Sequence, residues 1–443
     1  MDEKSWNMAR LIPTSGINGA DEQERRATSA LLAVMGVVKE FGRALTKPLG
    51  APAGSLETFI EVPFELQGRK IFPDGLIRVR RGGKSWTALV EVKTGTNVLA
   101  APQLEDYLEV ARQNGFDALI TISNELPPAQ GVHPTPLDGR KLRKVSLFHW
   151  SWTEVLTEAV MQKEHRGVAD PEQAWILGEL VRYLEHPKSG AMSFEDMGPH
   201  WVTVRDAVQA GTLRANDKAV LEVASRFEAL MRFAALRLGR RLGAEVTPVI
   251  SRAESLNPAL RPAALAASLA KTGTLAAALR VPHAVSDLKL LVDLRAGKIT
   301  CSFEVDAPRE GRGTTRIKWL TRQLRESSDA LRVEARFAWG RSDAAELLRD
   351  IRENPAKLVL DPAKEIKSFT VAHVSPAGSK RSTGRGGFID SVLGAVDVGY
   401  EEIGQRLKPW AAAPHRLRSD SEVEVEAVVP SSLPSAALSS QDE

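Results

Sequence analysis

The chain has 443 residues, 43% apolar and 26% charged, which excludes a wholly disordered, collagen-like or coiled-coil protein and allows two or three domains. A single cysteine, Cys301, excludes an intramolecular disulfide framework and a multi-cysteine zinc site. The net charge is +3, but residues 419–443 hold six acids and no Lys or Arg, leaving 59 basic against 50 acidic residues in the body, a balance compatible with a polyanionic partner.

In chain order, residues 1–20 lack periodicity and read as a flexible arm. From Asp21 to about Leu45 a stripe of Leu31, Val34, Met35, Val38 and Phe41 predicts one amphipathic helix. Three strands are predicted next, over Leu56–Leu66, Ile71–Arg80 and Ser85–Lys93, with turns at Gly68 and at Gly82-Gly83. Pro102–Asn114 reads as a helix with proline in its first turn. Asp117–Ser123 and Val145–Trp150 read as strands, and Ser151 or Thr153 caps a helix running to about Lys163. The order over residues 21–165 is α-β-β-β-α-β-β-α.

A helical region follows over 170–245, with helices at Pro171–Glu185 and Asn216–Leu242 joined through a Gly/Pro-containing segment near 187–200. Residues 246–273 read as a linker or short helices. An α+β domain is expected over 274–411: a hairpin at 286–305 turning at Arg295-Ala296-Gly297, a helix near 314–327, a strand at 331–338, a helix at 342–353, a strand at 366–374 and a helix at 388–406. The Ser/Pro/acid-rich residues 412–443 are expected to be a disordered acidic tail. No run approaches the ~18 apolar residues of a membrane span, and the acids Asp2 and Glu3 stand where a secretory signal carries base. A soluble cytoplasmic α/β protein with no membrane partner is expected.

The chemistry concentrates in Phe72-Pro73-Asp74-Gly75 and Ala88-Leu89-Val90-Glu91-Val92-Lys93. A two-residue turn at Gly82-Gly83 places Asp74 directly opposite Glu91, with Cβ atoms roughly 4.5–5.5 Å apart. Lys93 falls on the same face as Glu91. The other face carries Ile77, Val79, Trp86, Ala88, Val90 and Val92, a set suited to the core. Two facing carboxylates repel unless a positive charge lies between them, and a hard divalent ion with oxygen ligands suits that gap. An adjacent ammonium offers charge stabilisation to a phosphate.

This constellation resembles the PD-(D/E)XK nuclease superfamily, whose restriction-endonuclease-like αβββαβ core follows the predicted order. Gln103-Leu104-Glu105-Asp106-Tyr107 resembles the Q-x-x-x-Y motif of RecB-type members, and Lys93-Thr94-Gly95 resembles their K-T-G. The resemblance covers residues 21–165. It implies Mg²⁺ (or Mn²⁺) held by Asp74, Glu91 and the Val92 carbonyl, with Lys93 positioning water or stabilising charge, and Gln103 and Tyr107 ordering the site. Many members add a glutamate from the first helix. Glu24 fits that role, lying within about 20° of the Leu31 stripe. The implied partner is nucleic acid, DNA before RNA, in defence, repair or stress response. A protein partner is open to the helical and C-terminal regions.

Two alternatives remain: a catalytically silent nucleic-acid-binding or scaffolding protein that keeps the nuclease fold, and a stress-response or assembly protein acting through its C-terminal regions. Arg316, Lys318 and Arg322 along one helix, and Lys380, Arg381 and Arg385 in a Gly-rich flexible loop, are candidate phosphate contacts. His149-Trp150-Ser151-Trp152 is read as aromatics packing a strand-to-helix corner. The eight histidines show no zinc-ligand spacing.

Overall fold

The computed structural model describes residues 12, 19–127, 132–192, 194–338 and 344–411. The predicted tail lies outside them, as does the predicted arm except for residues 12, 19 and 20. The predicted first helix is two helices, α1 (Ala20–Val37) and α2 (Lys39–Thr46), because Val38 takes an extended conformation. The break falls at the Val37-Val38 pair, where β-branching lowers helix propensity. The stripe survives it: Leu31, Val34, Met35, Val38 and Phe41 are all buried.

The predicted first strand is also divided, into β1 (Ser55–Ile60) and β2 (Phe64–Leu66); Pro63 separates them. β2 pairs with β3 (Arg69–Ile71) as a separate two-stranded ribbon. Its turn residues Gln67 and Gly68 both have positive φ, 52° and 75°, as a type I′ hairpin demands. Pro73 then lies between β3 and β4 (Gly75–Arg81), where a residue without an N–H cannot extend the ladder. β4 pairs antiparallel with β5 (Lys84–Val92), from Gly75 opposite Val90 to Arg81 opposite Lys84. This is the predicted register.

Helix α3 (Ala101–Gln113) crosses over to β6 (Ala118–Ser123), which pairs parallel with β5. β7 (Ser146–Ser151) joins β6 in parallel, giving the five-strand order β1-β4-β5-β6-β7. Helix α4 (Trp152–Val160) starts at a capping box between Ser151 and Glu154, worth about 1 kcal/mol; Ser151 rather than Thr153 is the cap. Helices α1, α2, α4 and α5 (Pro171–Leu184) cover one sheet face, over the predicted core set Ile77, Val79, Trp86, Ala88, Val90 and Val92. The other face packs Leu76 and Leu89 under Leu104, Tyr107 and Leu108 of α3.

Helix α6 (Trp201–Ala210), absent from the sequence reading, precedes the 25-residue α7 (Lys218–Leu242). The segment read as a linker or short helices is β8 (Thr247–Pro248) followed by two helices, α8 (Arg252–Leu256) and α9 (Leu260–Thr272). β9 (Thr274–Arg280), also unforeseen, pairs with β10 (Leu288–Asp293). β10 and β11 (Lys298–Asp306) form the predicted hairpin. α10 (Gly313–Gln323) and β12 (Arg332–Phe337) follow. The helix predicted over 342–353 begins instead as an edge strand, β13 (Ala344–Leu347), before α11 (Leu348–Glu353). β14 (Ile366–Pro376) and α12 (Phe388–Gly399) complete the region. This second sheet is antiparallel in every pairing, with order β13-β12-β14-β11-β10-β9-β8. Its core contacts α6, α7, α9 and α12. Residues 1–409 form one compact unit and 410–443 a second, of which only Trp410 and Ala411 are described. Among the described residues, no helix is long and apolar enough to cross a membrane.

Candidate active site

The β4–β5 register brings the two acids together. Asp74 immediately precedes β4, and its Oδ2 accepts a hydrogen bond from the Val92 amide at 2.8 Å. Gly75 has to be small here: a Cβ would lie 2.4 Å from Leu32 Cδ1 of α1. That close approach draws α1 onto the start of β4, and α1 carries Glu24.

Lys93 joins both acid-bearing elements. Its Nζ lies 2.7 Å from Glu91 Oε1 and 3.4 Å from Glu24 Oε2. Glu24 Oε1 also accepts from Asn97 Nδ2 at 2.5 Å and from the Thr94 amide at 3.4 Å. The strand end is held by its own backbone: the Lys93 amide donates to Ile122 O at 2.7 Å, and Trp152 Nε1 donates to Lys93 O at 2.9 Å. From α3, Gln103 Nε2 donates to the Tyr107 hydroxyl at 3.0 Å, and that hydroxyl donates to Phe72 O at 3.4 Å. The helix is thereby fixed to the segment that presents Asp74. All six predicted side chains, Glu24, Asp74, Glu91, Lys93, Gln103 and Tyr107, thus fall into one bonded neighbourhood.

The electrostatics follow from burial. Glu91 is 1% exposed, and burial, then the neighbouring Asp74 carboxyl, push its pKa up to about 8 despite Lys93. Burial also raises Asp74, against the Val92 amide and Lys93. For Lys93, burial works against the charge, but Glu91, Glu24 and Asp74 outweigh it and its pKa is raised. Tyr107 is raised by burial and by Glu91. The Lys93–Glu91 contact is close but not a well-directed hydrogen bond: both Glu91 oxygens are buried without a hydrogen-bond partner.

Such a buried carboxyl has two ways out of its penalty. It keeps a proton and shares it with Asp74, or it meets a cation. The residues fit a divalent ion on that ground: two adjacent carboxyls, one of them met only by the Lys93 ammonium and without a directed hydrogen bond, and the Val92 carbonyl at the same strand end. No group of three His, Cys, Asp or Glu side chains suited to a metal occurs among the described residues, so the protein donor set is that pair and the main chain.

Several neighbours escaped the sequence reading. Asn97 gave no signal, and Thr94 was visible only as part of the K-T-G resemblance, not as a donor to Glu24. Trp152 was visible only as part of an aromatic cluster; it is buried at the strand-to-helix corner as expected, and its N–H also holds the Lys93 carbonyl. Glu91 pairs with Thr121, and Thr121 with His149, across β5, β6 and β7. Thr121 Oγ1 lies 2.8 Å from His149 Nδ1 and 2.7 Å from His133 Nε2. His149 Nε2 contacts Glu125 O at 2.9 Å. Burial lowers His149 to about 4. This array is a neutral hydrogen-bond chain beside the acids.

The basic candidates divide. Arg316 is not available to a polymer, contrary to the sequence reading. It is buried, and its guanidinium donates to Gly311 O (3.1 Å), Ile366 O (2.6 Å) and Arg309 O (2.9 Å) while pairing with Glu365 at 2.8 Å. Lys318 and Arg322 on α10 are exposed, as are Lys380, Arg381 and Arg385. The loop bearing the last three is tied down rather than free: Lys380 bridges Gly387, Ser382 bridges Asp196, and Arg381 O accepts from the Met197 amide at 3.0 Å. Cys301 is buried, and burial pushes its thiol up to about 12. No family model, curated protein or solved structure matches the chain.

Proposed function

We propose that the chain is a metal-dependent nuclease of the PD-(D/E)XK class, hydrolysing phosphodiester bonds of nucleic acid through Asp74, Glu91 and Lys93. The observation that carries this reading is the register-enforced approach of a buried and a half-buried acid, Glu91 and Asp74, with an ammonium 2.7 Å from Glu91. The strand order, with an antiparallel ribbon entering a parallel β5-α3-β6 crossover, supports the restriction-endonuclease-like assignment. DNA is preferred to RNA on the resemblance alone.

In this mechanism Asp74, Glu91 and the Val92 carbonyl would hold Mg²⁺ or Mn²⁺. The ion supplies Lewis-acid polarisation of the phosphate and a water of lowered pKa. Glu91 must release its proton for that, so the site loads better as pH rises toward about 8. Lys93, whose pKa is raised, stays an ammonium; it offers charge to the phosphoryl oxygens and does not act as a base. Glu24 and Asn97 fix where that ammonium points. Gln103 and Tyr107 hold the Phe72-Pro73-Asp74 segment in place.

Supercoiled DNA, linear DNA and RNA are incubated with Mg²⁺ or Mn²⁺, comparing the natural chain with Lys93→Ala. Metal-dependent cutting that the variant lacks supports the enzyme. Binding without cutting on every substrate identifies the silent binding protein instead.

A further inference from the structure

A second buried carboxyl lies away from this site, on α7. Glu228 is 6% exposed. Its Oε2 pairs with Arg261 Nε at 2.5 Å, while its Oε1 is buried with no hydrogen-bond partner. Glu228 lines a half-open cavity of about 210 Å³ between α7, β8, the α8–α9 segment and Glu154 of α4. The volume far exceeds the roughly 30 Å³ share of one water. Leu236, Val246, Pro248 and Ile250 give it apolar walls.

The charge around the cavity is lopsided. Four glutamates, Glu154, Glu228, Glu245 and Glu254, face two arginines, Arg232 and Arg261. Both arginines are engaged. Arg261 pairs with Glu228 and, at 3.9 Å, with Glu254. Arg232 donates to Pro127 O at 2.7 Å and lies in the field of Glu154 and Glu228. Glu154 and Glu254 are spent as helix caps on Ser151 and Ser251. Glu245 is exposed to solvent, and the buried acceptor without a hydrogen-bond partner is Glu228 Oε1. An anion entering here meets a net negative wall, and a purely apolar guest leaves the carboxylate oxygen unpaired.

We propose that this cavity binds a small organic cation, a primary ammonium on a short apolar tail, with the ammonium donating to Glu228 Oε1 and the tail lying against Leu236 and Ile250. Burial raises the Glu228 pKa, and a bound ammonium relieves that by stabilising the carboxylate. The site is separate from Asp74 and Glu91 and stands whether or not the chain cuts nucleic acid.

The test titrates the full chain with n-butylammonium, butyrate and n-butanol by calorimetry and thermal shift. Saturable binding is expected for n-butylammonium alone. Glu228→Gln keeps the shape but removes the charge, and weakens binding at least about tenfold, as loss of a charge-assisted hydrogen bond does. Ile250→Trp, at a position 40% exposed on the rim, blocks entry without touching Glu228 and decides the matter if Glu228→Gln fails to fold. Equal binding of n-butanol, no saturable binding of n-butylammonium, or binding unchanged in a folded variant overturns the proposal.

Discussion

In the five-stranded sheet, β5 is buried from Trp86 onward and β6 is buried throughout, whereas β9, β10 and β11 of the seven-stranded sheet alternate buried and more exposed positions. That is the contrast between a parallel crossover covered on both faces and an antiparallel sheet open on one. The two regions also treat buried polar groups differently. Arg316, beside the second sheet, is buried with three carbonyls and Glu365 around it. Glu91, inside the first, is more deeply buried, and apart from the Lys93 ammonium at 2.7 Å neither carboxyl oxygen has a hydrogen-bond partner. A polar group that is buried and satisfied holds a fold together; one buried and unsatisfied costs stability, and its retention points to a use.

Substitutions sharpen this difference. Lys93→Ala, Asp74→Asn and Glu91→Gln should each lower metal-dependent cleavage by about 10²–10³-fold or more, as losing one preorganised stabilising group does. Cleavage of labelled DNA measures it, and Glu91→Gln should leave the protein at least as stable as before. Arg316→Leu should do the reverse: a loss on the order of 3 kcal/mol in urea unfolding, because buried carbonyls lose their donors, with no specific effect on cleavage by the folded fraction. An Arg316→Leu chain of unchanged stability would break the comparison.

Trp152→Phe comes next. It leaves the Lys93 carbonyl without its indole donor, costing about 1–3 kcal/mol. Because that carbonyl belongs to the residue whose side chain carries the ammonium, kcat should fall in the folded protein as well, separating a positioning role from a purely structural one.

The pH response is a subtler probe. In the folded chain the Glu91 pKa is about 8 against an ordinary 4.5. Between those values the unfolded chain has released this proton and the folded chain has not. Stability from this group is therefore highest below about 4.5, falls as pH rises, and levels off above about 8. Glu91→Gln should remove that slope and added Mg²⁺ should flatten it, as read by urea unfolding across the window. A natural chain whose slope is unchanged in Glu91→Gln would place the titration elsewhere.

The smallest effect is expected at the exposed cations of α10. Lys318→Ala with Arg322→Ala should change stability by no more than about 0.5 kcal/mol. If these side chains touch phosphates, the same variant lowers the salt dependence of DNA binding by about one to two counterions. An unchanged slope assigns them to solvated surface.

The sequence alone determined what repeats locally. The α1 stripe, the Gly82-Gly83 turn and the two-residue alternation of β5 are short-range patterns, so the register that opposes Asp74 to Glu91 was legible before any coordinates. Gln103 and Tyr107, one helical turn apart, were legible for the same reason. The tertiary structure decided everything that depends on distant segments meeting. Nothing near Asn97 announces that it will bond Glu24, 73 positions earlier, and a tryptophan reads as core until its N–H is seen on Lys93 O. Arg316 looked like a member of a basic stripe because helical spacing reports which side chains share a face; only the packing of residues 309, 311 and 366 around its guanidinium decided that this one points inward. Periodicity fixes direction relative to an element, whereas desolvation and pKa are set by what packs against it, and that information is spread over the whole chain.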